Sequence, residues 1–258
     1  MFVKENRFED HFGIVETTIP KSSDTTIKTA FKNFLKQPES YKKEFLQTYY
    51  NCGFDGYSFL GQKDSINQYD TDLLHSFVLS EFSKQVLFPK EFHAFLQNDW
   101  KALVSKIKTI ELHVIEQLKI EGLKAFYEDS IGHMVSCNYY PKVDLEVATS
   151  LRLSKHKDVS LFTVFVFGSA DGFSYQNFSN KKETLHASQN IVVFPGYLLE
   201  FLTKGKYKAL EHQVDFTAVN KERFSFAFFS LPKPFQDIEF NDLQFTSESY
   251  FKNYLALF

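Results

Sequence analysis

Residues 151–167 read LRLSKHKDVSLFTVFVF, a polar stretch that sets His156 and Asp158 two positions apart and runs into an apolar segment of β-branched and aromatic residues. Residues two apart in a strand point to the same face, so an imidazole and a carboxylate are presented side by side. Two His and one carboxylate are the donor set that holds a divalent iron while leaving coordination positions open, and the missing His must come later in the chain. The pair alone is weak evidence. With 8 His and 14 Asp in 258 residues, about 0.4 such pairs arise by chance, and the bland reading is a solvated loop with a salt bridge to a neighbouring Lys.

Around this stretch, from His133 onward, short runs rich in Val, Phe, Tyr and Thr are broken by Pro141, Gly168, Gly172, Gly196 and Gly205. They predict roughly eight strands. Before them the period is helical. Ile27, Phe31, Phe34 and Leu35 predict a helix over Thr26 to Gln37, ended by Pro38. Leu103, Ile107, Ile110, Val114 and Leu118 predict a longer one, capped by Asn98 or Asp99 and stopped at Gly122. A closing helix is expected after Thr246 or Ser247, with Tyr250, Phe251, Tyr254, Leu255 and Phe258 on one face. Helices followed by strands argue for an α+β layout, an antiparallel sandwich or jelly roll backed by helices. One domain is expected over 1–258, with a mainly helical part at 1–130, a jelly-roll core at 131–235 and a C-terminal helical segment at 236–258.

Composition narrows the function. Hydrophobic residues at 43% and aromatic ones at 17% exclude global disorder, and a net charge of −3 argues against nucleic-acid or polybasic membrane binding. Cys52 and Cys137 have no metal-like spacing, so neither a disulfide framework nor a Cys-based zinc site is expected. The first twenty residues lack the basic stretch and apolar run of a secretory signal, and the Leu161 to Phe167 run is too short to cross a bilayer as a helix. A cytosolic monomer is expected. His11, His75, His93, His113, His133 and His186 have no second ligand at strand or helix spacing and read as surface or satisfied core histidines. No nucleotide-binding glycine loop or nucleophile elbow occurs.

Two further pairs sit two apart. In KERFSFAFF, alternation puts Arg223, Ser225 and Ala227 on one face and Phe224, Phe226 and Phe228 on the other. A guanidinium facing a barrel interior needs an anion, and its planar fork with a neighbouring hydroxyl suits a small dicarboxylate. Arg152-Leu153-Ser154 has the same spacing. In CNYYP, Asn138 and Tyr140 share a face at a strand end that Pro141 terminates, which is also what an ordinary turn entry looks like.

Taken in order, Asn138-Tyr-Tyr-Pro, His156-Lys-Asp158 followed by Val-Ser-Leu-Phe-Thr, KGKYKALEH ending at His212, and Arg223-Phe-Ser225 resemble the isopenicillin N synthase-like branch of the iron(II)/2-oxoglutarate-dependent dioxygenases. The likeness covers about residues 133 to 231, and more loosely the helices before them and Gly53 to Tyr57. It implies a double-stranded β-helix in which His156, Asp158 and His212 hold Fe(II). His212 follows the first ligand by 56 positions, and Arg223 follows His212 by 11, both similar to the family order, whereas Arg152 precedes every ligand. Arg223, helped by Ser225, is therefore the implied partner of the far carboxylate of 2-oxoglutarate, and Asn138 and Tyr140 are implied near the cosubstrate. Two departures stand out: the family's Gly-Asp reads Gly196-Tyr197, and its His-Arg-Val reads His212-Gln213-Val214.

The resemblance implies oxidation, by default hydroxylation, of a C–H bond in a small molecule, with 2-oxoglutarate and O2 converted to succinate and CO2. A ring-forming oxidase without 2-oxoglutarate and a non-catalytic jelly-roll module are the alternatives. Cys137 is expected to point away from Asn138 as a packed thiol.

Overall fold

The strand Arg223–Pro232 lies at the centre of the largest antiparallel sheet and organises the fold. In this computed structural model, described for residues 13–21, 26–47, 54–59, 73–142, 151–168, 172–177, 180–185, 189–216 and 221–257, the elements run β1 (Val15–Pro20), α1 (Thr26–Leu35), α2 (Glu39–Lys43), β2 (Gly56–Ser58), β3 (His75–Ser80), α3 (Lys90–Asn98), α4 (Trp100–Leu118), α5 (Leu123–Ser130) and β4 (Ile131–Tyr140). They continue as β5 (Leu151–His156), β6 (Phe162–Gly168), β7 (Phe173–Gln176), β8 (Lys182–Thr184), β9 (Asn190–Pro195), α6 (Tyr197–Leu202), β10 (His212–Asp215), β11 (Arg223–Pro232), β12 (Asp237–Phe240), β13 (Leu243–Thr246) and α7 (Ser247–Leu255). The large sheet has the order β1-β9-β6-β11-β4-β3-β2 and the small one opposite it β5-β10-β7-β8.

Alternation along β11 decides which face meets which layer. Phe224, Phe226 and Phe228 face the helices, where Phe31 of α1 meets Phe224 edge-on at 6.1 Å and Trp100 of α4 stacks on Phe228 at 6.2 Å. Phe34 and Phe92 close on Phe77 of β3, each at 4.9 Å. Each such ring contributes about 1.5–3 kcal/mol by leaving water. The apolar stripe of α4 that the spacing predicts is buried throughout. The opposite face of the large sheet looks toward the small one across Phe165, Phe173, Phe194 and Leu210. Phe167 is buried against Phe226 and Phe228.

The structure departs from the sequence reading in several places. The first 130 residues are not only helical, because β1, β2 and β3 join the large sheet. They are short and half hidden among helices, which is why periodicity missed them. The first helix ends at Leu35, not Gln37. Asp99 stands before α4 in helical conformation and makes no side-chain cap; α4 stops at Leu118 with Lys119 left-handed, while Gly122 (φ 76) instead opens α5. Among the described residues ten strands, β4 to β13, follow residue 130, and the hairpin β12–β13 occupies much of the segment read as helical. Thr246 caps α7 through a reciprocal capping box with Ser249. Gly53, His11, His186 and Phe258 lie outside the described residues.

Candidate metal centre

His156 ends β5 and His212 begins β10, and antiparallel pairing puts the two in direct register. Their rings are 4.3 Å apart between centroids. Asp158 lies two residues past the end of β5, where the chain turns toward β6, and its Oδ1 is 3.5 Å from Nε2 of His156 and 3.7 Å from Nε2 of His212. One ligand atom from each of the three lies within 4.8 Å of the others.

Local hydrogen bonding aims these atoms. Nδ1 of His156 donates to the Ser154 carbonyl at 2.8 Å, and Nδ1 of His212 donates to the Leu210 carbonyl at 3.0 Å. A carbonyl only accepts, so the proton sits on Nδ1 and Nε2 presents a lone pair toward Asp158. Burial pulls the His212 imidazole down to about 4, against the opposing pull of Asp158. Burial would raise the Asp158 carboxyl, but His212, His156 and the Thr163 hydroxyl outweigh it and hold it below its ordinary value. A neutral His212 nitrogen beside an ionised Asp158 oxygen is the pairing a divalent metal requires. Phe173 stacks on His212 at 4.8 Å and Phe194 meets it edge-on at 5.4 Å, which shields the ring from water.

Several supporting residues lie in or beside the quoted motifs, which assign them no role. Thr163 Oγ1 donates to Oδ2 of Asp158 at 2.6 Å and pairs with the Ser160 hydroxyl at 2.9 Å. The Tyr197 amide donates to the Asp158 carbonyl at 2.7 Å. That contact uses the backbone, so a Tyr serves where the family has Asp, and its ring packs on Tyr250 and Tyr254. Gln213, the second departure, donates to Asp215 at 2.6 Å. Glu200 of α6 ties the two ligand arms together, accepting from Nζ of Lys157 and from the Ala209 amide, each at 2.9 Å. Only the i, i+4 spacing of Tyr250 and Tyr254 hinted at the phenols that hold this loop.

The remaining predicted residues form two adjacent cross-strand pairs on the inward face of the large sheet, Arg223 with Tyr140 and Ser225 with Asn138. The guanidinium carbon of Arg223 lies 4.5 Å from the Tyr140 ring centroid. Arg223, Ser225 and Tyr140 are buried, and Asn138 is half-buried and accepts from the Ser136 hydroxyl at 3.0 Å. Cys137 points to the helix side, fully buried, and burial pushes its thiol well up. His133 is a satisfied core histidine between Glu111 and Glu81.

A model of the 2OG-Fe(II) oxygenase superfamily matches residues 131–232, the span that carries His156, Asp158, His212, Arg223, Ser225, Asn138 and Tyr140. That match covers 102 of the 258 residues. The chain is similar to the coumaroyl and feruloyl CoA ortho-hydroxylase Diox4 of Ruta graveolens, 24% identical over 236 residues that cover 86% of this chain and 62% of that protein. It is 25% identical over 219 residues to leucoanthocyanidin dioxygenase of Petunia hybrida, covering 80% of this chain and 50% of that one. The chain thus spans less than two thirds of the length of these curated relatives. Among solved structures, a full-length Neurospora crassa protein in complex with alpha-KG superposes with a TM-score of 0.72 at 18% identity, over 95% of this chain and 85% of that one. JOX2 in complex with 2OG, Fe and JA gives 0.71 at 20% identity, over 95% and 78%. These likenesses carry the fold: an α+β chain with a jelly-roll core.

Proposed function

We propose that this chain is an Fe(II)/2-oxoglutarate-dependent oxygenase that hydroxylates a C–H bond of a small molecule, turning 2-oxoglutarate and O2 into succinate and CO2. The observation that carries this reading is the convergence of two imidazole Nε2 atoms and one carboxylate oxygen at His156, Asp158 and His212. The donor set fits Fe(II), which would supply the oxidative chemistry when bound. The protein's own part is positional. His156, Asp158 and His212 hold the metal. Arg223 and Ser225 bind the far carboxylate of 2-oxoglutarate, and Tyr140 packs beneath the guanidinium so that its fork keeps one orientation. Asn138, paired across the strands with Ser225, lines the same floor. Phe173 and Phe194 exclude water on the His212 side.

The order of the motifs supports a place in the isopenicillin N synthase-like branch, and the seven-stranded sheet that joins β1 to β11 supports one domain over 1–258. The net charge of −3 and the two cysteines support a cytosolic monomer that acts on a small molecule, away from nucleic acid and membrane. No described helix is long and apolar enough to cross a membrane.

The test is anaerobic titration of the Fe(II)-loaded protein with 2-oxoglutarate, following the visible charge-transfer band of a bidentate 2-oxo acid chelate. A saturable band, abolished by His212→Ala and weakened by Arg223→Gln, is expected. Iron binding without the band would turn the reading toward an oxidase that needs no 2-oxoglutarate, and absence of iron binding by the folded protein would refute it.

A further inference from the structure

One row of polar side chains crosses four strands of the large sheet. Pairing with no break in register sets Ser58 of β2 opposite Ser76 of β3, Ser76 opposite Asn138 of β4, and Asn138 opposite Ser225 of β11. Their chain neighbours fix the face. Tyr57 and Phe77 meet Phe34 of α1 at 5.2 and 4.9 Å, Phe224 meets Phe31 of α1 at 6.1 Å, and Tyr139 meets Phe224 at 4.8 Å, all on the helix side. The four polar residues alternate with these rings and therefore turn inward.

The row starts at the Ser225 hydroxyl, assigned above to 2-oxoglutarate, and leads away from it toward the sheet edge. At the edge Ser58 donates to Gln47 at 2.8 Å. Ser136 donates to Oδ1 of Asn138 and leaves the amide NH2 to donate elsewhere. That NH2 and the Ser76 hydroxyl make no hydrogen bond among the described residues, although Ser76 is 5% exposed. A hydroxyl so far from water ordinarily has a partner. Directly opposed side chains on paired strands stand about 5 Å apart at Cβ, so one atom can reach both groups.

Both groups are neutral and both can donate, which selects an acceptor oxygen. The charged neighbour, Arg223, stands one row away against Tyr140 and is matched by the far carboxylate of the cosubstrate. A second carboxylate in this row would enter a buried site without a cation of its own, whereas a carbonyl oxygen needs the two donors and no countercharge. Val78 and Ala227, the next inward residues of β3 and β11, stand on either side of Ser136 and give a low apolar floor beside the pair.

We infer that Ser76 and the Asn138 amide hold a neutral carbonyl oxygen of the substrate, so that the chain acts on a ketone, ester or amide whose carbon skeleton lies over Val78 and Ala227. This rests on the function proposed above, with 2-oxoglutarate held over β11. Ser76 is then a specificity residue and takes no part in holding iron or the cosubstrate.

The test uses the full chain loaded with Mn(II), whose unpaired electrons broaden the NMR signals of nearby molecules, with 2-oxoglutarate at saturation. Acetophenone and α-methylstyrene are the paired probes, alike in shape, with C=O in one and C=CH2 in the other. Below saturation, acetophenone should be broadened about tenfold more, the scale of two neutral hydrogen bonds. Ser76→Ala should reduce that ratio to about threefold or less and leave 2-oxoglutarate affinity within about twofold. Equal broadening of the two probes by the wild-type protein, or an undiminished ratio in Ser76→Ala, overturns the inference. So does stronger broadening of benzoate than of acetophenone, because the row would then serve an acid. Failure of the wild-type protein to take up 2-oxoglutarate at all refutes instead the oxygenase reading beneath it. If Ser76→Ala does not fold, Ser76→Cys, similar in size with a much weaker donor, takes its place with the same expected loss.

Discussion

Tyr254 donates its phenol to the carbonyl of Lys157 at 2.8 Å, across 97 positions of sequence, and Lys157 is the residue between His156 and Asp158. One turn earlier on α7, Tyr250 donates to the carbonyl of Val159, on the other side of Asp158. The C-terminal helix thus grips the ligand loop at both neighbours of its carboxylate. Its aromatic face is core packing and a positioning device together.

Replacing either phenol by Phe removes a hydrogen bond and leaves a shielded carbonyl. Tyr250→Phe and Tyr254→Phe should each lower stability by about 1–2 kcal/mol. Because the lost bond lies beside Asp158, Mn(II) affinity should fall several-fold as well, measured by titration on the folded variants. Unchanged metal affinity in both would assign the phenols to packing alone.

Thr163 holds Oδ2 of Asp158 and so leaves Oδ1 turned toward both imidazoles. Thr163→Val keeps the shape and removes the hydroxyl. Metal affinity should drop by about tenfold or more, in line with other loss of support around metal ligands. The thermal midpoint of the metal-free protein should fall as well, because the buried Asp158 carboxylate loses a charge-assisted hydrogen bond.

Gly196 separates β9 from α6, and a Cβ there would lie 2.1 Å from the carbonyl oxygen of Ser160 and 2.7 Å from its carbonyl carbon. Both atoms are backbone and belong to the turn that follows Asp158. Gly196→Ala should therefore cost about 1–3 kcal/mol or more through forced displacement. Denaturant unfolding measures this directly. A variant as stable as the wild type would show that the turn can retreat.

His133 is fully buried between Glu111 of α4, 2.8 Å from its Nε2, and Glu81, 3.2 Å from its Nδ1, and Tyr127 also donates to Glu111. Burial would lower this imidazole, but the two carboxylates outweigh it and raise it above 6.5. A raised folded pKa stabilises fully below the unfolded value and is lost as pH rises through the folded one. Glu81, which burial would raise, is lowered by His133 and Lys108, so its contribution holds above 4.5 and fades as pH falls. The cluster should support the fold best between these two ordinary values. Raising pH above 6.5 should lower the thermal midpoint more in the wild type than in His133→Gln. Glu111→Ala, which strands the buried imidazolium, should cost about 3–5 kcal/mol.

Local periodicity was enough for part of this protein. The alternation of Arg223 to Phe228 assigned both faces of the central strand, the stripe from Leu103 to Leu118 assigned the buried face of α4, and the His156-Lys-Asp158 spacing marked two candidate ligands. Each rests on residues within a few positions of one another, where strand or helix geometry follows from the chain itself. His212 entered by resemblance, because no local pattern ties it to a partner 56 positions away.

Tertiary structure decided what depends on pairing between distant segments. The register of β10 on β5 puts His212 opposite His156, and three short early strands extend the large sheet beyond any periodic signal. Tyr250 and Tyr254 come to flank Asp158, and Arg152, set aside by its place in the chain, is buried with its guanidinium carbon 5.0 Å from the Phe216 ring centroid. Alternation tells which side a residue faces, but what stands opposite is set by which strands meet and in what register.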